Sequence, residues 1–223
     1  MTVPVAVFGK AARSHEKSRH SSFRPRQQLR SHIAGNCFEV AAAKISIVIS
    51  NRAEAAGIET ACGLGLDAVV IPSKGRDRQE HDREMVAALQ GHNVDLVCLA
   101  GYMRLLSPWF VRQFPRQILN IHPSLLPAFP GLEAQERAFA YGVKMTGCTV
   151  HFVDEELDHG PIIVQHAIPV LENDDEHTLA ARILEQEHIA YSEAINVVLA
   201  GDWEIIGRRL VRKKLVQKKL VRK

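Results

Sequence analysis

Seven short apolar, β-branched runs set the terms on which this chain can fold: "VPVAVF" (3–8), "ISIVIS" (45–50), "DAVVIP" (67–72), "DLVCLAG" (95–101), "QILNIH" (117–122), "CTVHFV" (148–153) and "PIIVQHAIPV" (161–170). Each has strand length, and most lack the polar alternation of a half-exposed strand, so they need cover on both faces. Between several of them lie stretches of helical pattern. "DRQEHDREMVAALQ" (77–90) opens with acids and sets Met85, Val86 and Leu89 on one stripe. "EAQERAFAYG" (133–142) ends on Gly142, a C-terminal cap. "DDEHTLAARILEQEHIAYSEAINVVLA" (174–200) keeps apolar residues at helical spacing before Gly201. Doubly buried strands alternating with helices predict an α/β fold: a mainly parallel sheet with helices on both faces. Such sheets take ligands beyond the carboxyl ends of their strands.

The 223 residues, 46% of them apolar, suffice for one sizeable core, and a single domain over 1–207 is expected. No apolar run reaches the length of about 18 residues that spans a bilayer, and no signal-peptide pattern opens the chain. Cys37, Cys62, Cys98 and Cys148 show no CxxC spacing. A reduced, cytoplasmic setting is therefore expected, with no membrane partner. The net charge of +3 hides a split. Residues 10–30 carry seven Lys/Arg and one acid, and residues 208–223 carry nine and none, so the remainder is acidic. The terminal run "RRLVRKKLVQKKLVRK" has no aromatic residue on which a base could stack. It reads as a solvated basic tail from 208 onward rather than a nucleic-acid surface.

Asn120 and His122 stand two apart at the end of "LNIHPSLLPAFPG", so on a strand they share a face. A carboxamide N–H and an imidazole can then converge on one oxygen, as an oxyanion forming on a carbonyl under attack requires. His122 can also move a proton near neutral pH. Pro123, Pro127 and Pro130 stiffen the loop that follows. The plainer reading is a histidine ending a strand and an asparagine satisfying a turn. A carboxylate beside His122 would orient its ring, and "DEELDHGPII" offers Asp154, Glu155, Glu156 and Asp158, among which spacing does not choose. Gly101 permits close backbone approach after "DLVCLA", and Met103, Leu105 and Leu106 could line a slot for a flat heterocycle or simply pack the core. Despite eleven histidines there is no HExxH or paired CxxC, so no metal is expected; GxGxxG, GxSxG and the P-loop are absent too.

Taken together, "AGYMRLLSP", "LNIHPSLLPAFPG", "GCTVHFVDEELDHGPIIVQ" and "EQEH" resemble the phosphoribosylglycinamide formyltransferases of purine synthesis, in order from about Ile45 to about Gly207. The resemblance implies a Rossmann-like formyltransferase fold. It implies formyl transfer from 10-formyltetrahydrofolate, as cosubstrate, to the amine of 5-phosphoribosylglycinamide, without a metal. By position, Asn120, His122 and Asp158 match that family's catalytic residues. Arg78, Met103, Arg104, Leu105 and Leu106, with Asn120, Asp154 and Asp158, match its folate site, and Glu187 matches a substrate-contacting glutamate. The alternatives are a formyltetrahydrofolate deformylase, which shares the triad but carries a further N-terminal domain, and a folate-binding protein with impaired catalysis. Methionyl-tRNA formyltransferases resemble the chain less, since they carry a longer C-terminal domain. Oligomeric state is not legible.

Residues 9–36 depart from the resemblance. The family has a glycine-rich "SGxGSN" loop after its first strand, and this chain has "FRPRQQLRSHI" (23–33). Reading those codons one nucleotide later can yield "SGRGSNF". The expectation is an aberrant segment, either a frameshifted reading or disordered, with Arg24, Arg26 and Arg30 attracting phosphate only loosely.

Overall fold

The structure, a computed structural model, describes residues 44–102 and 104–213, and the backbone alone of 5–10, 30–33, 36–39 and 43. In chain order the elements are β1 Val5–Lys10, β2 Arg30–Ile33, β3 Asn36–Glu39, β4 Ala43–Ser50, α1 Ala56–Gly63, β5 Ala68–Val70, α2 Arg78–Gly91 and β6 Leu96–Leu99. They continue with α3 Pro108–Gln113, β7 Ile118–His122, α4 Ala134–Tyr141, β8 Met145–Phe152, β9 Ile162–Pro169, α5 Glu176–Ala200, β10 Trp203–Ile206 and β11 Arg209–Arg212.

Nine strands form one sheet in the order β10-β11-β9-β8-β7-β6-β1-β4-β5, and β2 and β3 pair separately. The pairs β4–β5, β6–β7 and β9–β11 are parallel. Because β1 and β8 each run antiparallel to both neighbours, six of the nine strands (β4, β5, β6, β7, β9 and β11) point the same way. The mainly parallel sheet is thus one of strand direction, with β1, β8 and β10 reversed. β1 enters antiparallel between β4 and β6. A parallel entry would need a crossover connection, usually a helix, and the strands described after β1 are the antiparallel pair β2 and β3. Most of the segment on which the altered phosphate loop falls, 11–29 and 34–35, lies outside the described residues.

Helices cover both faces because strand residues alternate between two cores. Leu96, Cys98 and Leu119 pack with Ala61 of α1 and with Leu179, Ile183, Ala190 and Ile195 of α5. Their neighbours Val97, Leu99 and Ile118 pack on the other side with Met85, Val86 and Leu89 of α2 and Phe110 and Val111 of α3. The helix ends are written in the sequence. Asp77 accepts hydrogen bonds from the Gln79 and Glu80 amides, and Ser107 accepts from the Phe110 amide with Pro108 behind it. Asp175 and Thr178 close a capping box at α5, and Gly142 and Gly201 end α4 and α5 in the left-handed conformation. The basic run expected to be tail from residue 208 starts inside the sheet. Arg209–Arg212 pair with β10, and Arg209 also pairs with Ile162, since Leu210 packs against the core that α5 covers.

Tyr191 of α5 ties the helix to the sheet. Its ring is buried and its hydroxyl lies 2.8 Å from the Leu99 carbonyl and 3.2 Å from that of Leu119. Tyr191→Phe is expected to lower unfolding free energy by about 1–3 kcal/mol, the cost of removing a buried donor. Denaturant titration at constant m-value checks this; an unchanged midpoint would show that the hydroxyl does not hold the strand ends.

Candidate active site

β7 presents its last side chains where the sheet ends. Asn120 pairs across strands with His151 and His122 with Thr149, so these four share the face opposite Leu119 and Cys148. His122 is buried, its Nδ1 3.4 Å from Asp158 Oδ2, while its Nε2 donates to the Phe129 carbonyl at 2.8 Å. That carbonyl can only accept, so Nε2 carries a proton and Nδ1 faces the carboxylate. A second proton, on Nδ1, would be balanced by Asp158. Asp158 is fixed in turn: Oδ2 accepts from the Gly131 amide at 2.7 Å, and the residue itself sits at φ 50°. Such a conformation in a non-glycine residue stores strain of order 1–3 kcal/mol, as functional loops often do. Gly160 makes the turn possible, because a Cβ there would lie 1.8 Å from the Phe152 carbonyl oxygen.

The loop after His122 owes its shape to more than its prolines. Thr149 Oγ1 donates to the Ser124 carbonyl at 2.7 Å and accepts from the Leu126 amide at 3.0 Å. Gln165 Nε2 reaches Leu126 O and Thr149 Oγ1, both at 2.9 Å, and Ser124 Oγ donates to Ala128 O at 2.5 Å. This buried polar network places Phe129 O against His122.

His151 completes the cluster and was not singled out from sequence. Nδ1 donates to the Phe152 carbonyl at 2.8 Å, leaving Nε2 to accept from Asn120 Nδ2 at 3.3 Å, with Asp158 Oδ1 3.8 Å away. Burial lowers its pKa, outweighing the raising effects of Phe152 O and Asp158. A neutral His151 therefore orients the Asn120 amide and leaves one of its N–H groups free. The available signal was periodicity: Thr149 and His151 alternate with Cys148, Val150 and Phe152, a polar face on a strand read as wholly apolar.

The structure separates the four carboxylates. Asp158 faces His122, whereas Asp154 Oδ2 pairs with His159 Nδ1 at 2.9 Å and Glu155 lies 3.5 Å from Arg112. Glu156 lies 3.9 Å from His159. Arg78 is exposed on the first turn of α2. Burial raises the Tyr102 hydroxyl to about 12, aided by Asp82 and opposed by the Arg104 and Arg78 charges, which places both arginines near that ring. Arg104 also donates to the Ser73 carbonyl at 3.1 Å, Leu105 is exposed and Leu106 packs at the edge of the α2–α3 core. Met103 lies outside the described residues. Glu187 belongs to α5, on the other side of the sheet, close enough to Cys148 to raise its thiol further. Among the described residues no group of three His, Cys, Asp or Glu is disposed to hold a metal, and no helix is long and apolar enough to cross a membrane.

Burial alone lifts the Glu187 carboxyl from an ordinary 4.5 to about 7. A raised acid pKa in the fold penalises stability as pH rises through that window. The penalty is absent below the unfolded value and complete above the folded one, where at ~1.4 kcal/mol per unit it amounts to roughly 3 kcal/mol. Glu187→Gln should thus be more stable than wild type by about 3 kcal/mol near pH ~8 and lose that advantage near pH ~4. Denaturant midpoints at both pH values check it; a difference that does not change with pH would mean Glu187 is solvated.

The family model described as formyl transferase matches residues 21–195. The chain is 42% identical over 153 residues to the phosphoribosylglycinamide formyltransferase of Escherichia coli, a match covering 68% of this chain and 72% of that one. It is 46% identical over 160 residues to the trifunctional purine biosynthetic protein adenosine-3 of Drosophila melanogaster; that match covers 71% of this chain but only 12% of the larger protein's length. Its fold is similar to the crystal structure of glycinamide ribonucleotide transformylase 1 from Symbiobacterium toebii, with TM-score 0.74 and 50% identity, covering 76% of this chain and 80% of that one.

Proposed function

The chain belongs to the formyl transferase family, and from that premise we propose that it transfers a formyl group from 10-formyltetrahydrofolate to the amine of 5-phosphoribosylglycinamide, a step of purine biosynthesis. The observation that carries the reading is the cluster at the end of β7: Asn120 and His122 on one face, with Asp158 3.4 Å from His122 Nδ1.

The amine attacks the formyl carbon, a C–N bond forms, and charge builds on the formyl oxygen. Asn120 meets that oxygen with the N–H that His151 leaves free, and protonated His122 adds a positive charge held by Asp158. As the bond from formyl carbon to folate nitrogen breaks, the proton shed by the amine ends on that nitrogen, with the His122–Asp158 pair as the nearest store. Arg78, the 103–106 segment and Asp154 are proposed for the folate, and Glu187 for the other substrate. The buried free thiols of Cys98 and Cys148 suit a reducing, cytoplasmic setting.

The test follows the fate of labelled formyl. With purified chain, formylfolate and the glycinamide ribonucleotide, the label should appear in the new amide. Label accumulating as formate would instead support the hydrolase reading, in which water takes the place of the amine.

A further inference from the structure

We propose that Arg208, in the turn of the β10–β11 hairpin, is a positioning residue for this reaction: through His159 it fixes the loop that presents Asp158 to His122. The inference rests on the function proposed above. The pairing of Arg209 with Ile162 sets Arg208 beside the Asp154–Pro161 loop. Its Nη2 donates to the His159 carbonyl, and its Nη1 stands against the His159 ring, 2.8 Å from Nε2 and 3.4 Å from Nδ1. His159 Nδ1 lies 2.9 Å from Asp154 Oδ2, and Asp154 Oδ1 accepts from the Glu156 amide at 3.0 Å.

An atom 2.8 Å from one ring nitrogen and 3.4 Å from the other lies over the ring rather than along the lone pair of Nε2, so the guanidinium rests on the imidazole while the carbonyl takes the hydrogen bond. Asp154 and Glu156 are the carboxylates that face the ring. His159 directly follows Asp158, whose backbone is held at φ 50° and whose side chain is aimed at His122. A displacement of about 1 Å at a reacting group can cost up to about a hundredfold in rate. Since His159 and Asp154 are partly exposed, the tether is a modest one, and its loss is expected to cost several-fold rather than all of the activity.

The experiment compares wild type with Arg208→Gln and Arg208→Lys. For Arg208→Gln, kcat should fall roughly 5-fold with little change in KM for the amine substrate. Arg208→Lys, which keeps one donor for the His159 carbonyl, should recover part of the loss. Amide hydrogen exchange read on the 154–160 loop should rise in Arg208→Gln while the rest of the sheet is unchanged. An unchanged kcat, or unchanged exchange in the loop, would each overturn the proposal. If wild type transfers no formyl group, the proposed function fails, and exchange in the loop still shows whether Arg208 holds it.

Discussion

His122→Ala is expected to lower kcat about a thousandfold while leaving formylfolate binding largely intact. The substitution removes the ring that, with Asp158, stands beside the developing oxyanion and exchanges a proton with the reacting nitrogens, contributions of roughly 10²–10⁴ for acid–base work alone. Its cost to the fold should be smaller than its cost to the reaction, because Thr149, Gln165 and Ser124 shape the 123–130 loop independently of the imidazole. Steady-state rates combined with equilibrium binding of a formylfolate analogue separate the two. Near-normal turnover would remove His122 from the mechanism.

Asp158→Asn should cost about a hundredfold in kcat. The change is nearly isosteric, and the side-chain carbonyl can still accept from the Gly131 amide, now met at 2.7 Å by Oδ2. What is lost is the negative charge 3.4 Å from His122 Nδ1. Because the two residues act as a unit, the double variant should be scarcely worse than His122→Ala alone. Measuring kcat/KM for both single variants and the double tests this. Fully multiplicative losses would mean that Asp158 acts separately from His122.

Features that depend on period and local chemistry were legible in the sequence. The i, i+2 spacing placed Asn120 and His122 on one face, and the acids that open 77–90, with the glycines at 142 and 201, marked helix ends. Parts that depend on distant pairing were not. Among Asp154, Glu155, Glu156 and Asp158, residues of like type in one loop, the chooser is a left-handed turn at Asp158 made possible by contact between Gly160 and Phe152. His151 meets Asn120 only through the antiparallel register of β7 and β8, which no local pattern specifies. The same holds for β1, whose apolar run announced a strand without its direction, and for β11, whose arginines suggested a solvated tail while Leu210 and Val211 joined the sheet.

Whether the cluster at the end of β7 transfers formyl to the amine is read most directly from the rate of tetrahydrofolate release from formylfolate by the purified full chain, with and without the glycinamide ribonucleotide. Release should depend on the ribonucleotide and nearly vanish in His122→Ala. Release at the same rate without it, or release unaffected by the loss of His122, would rule out formyl transfer at this cluster.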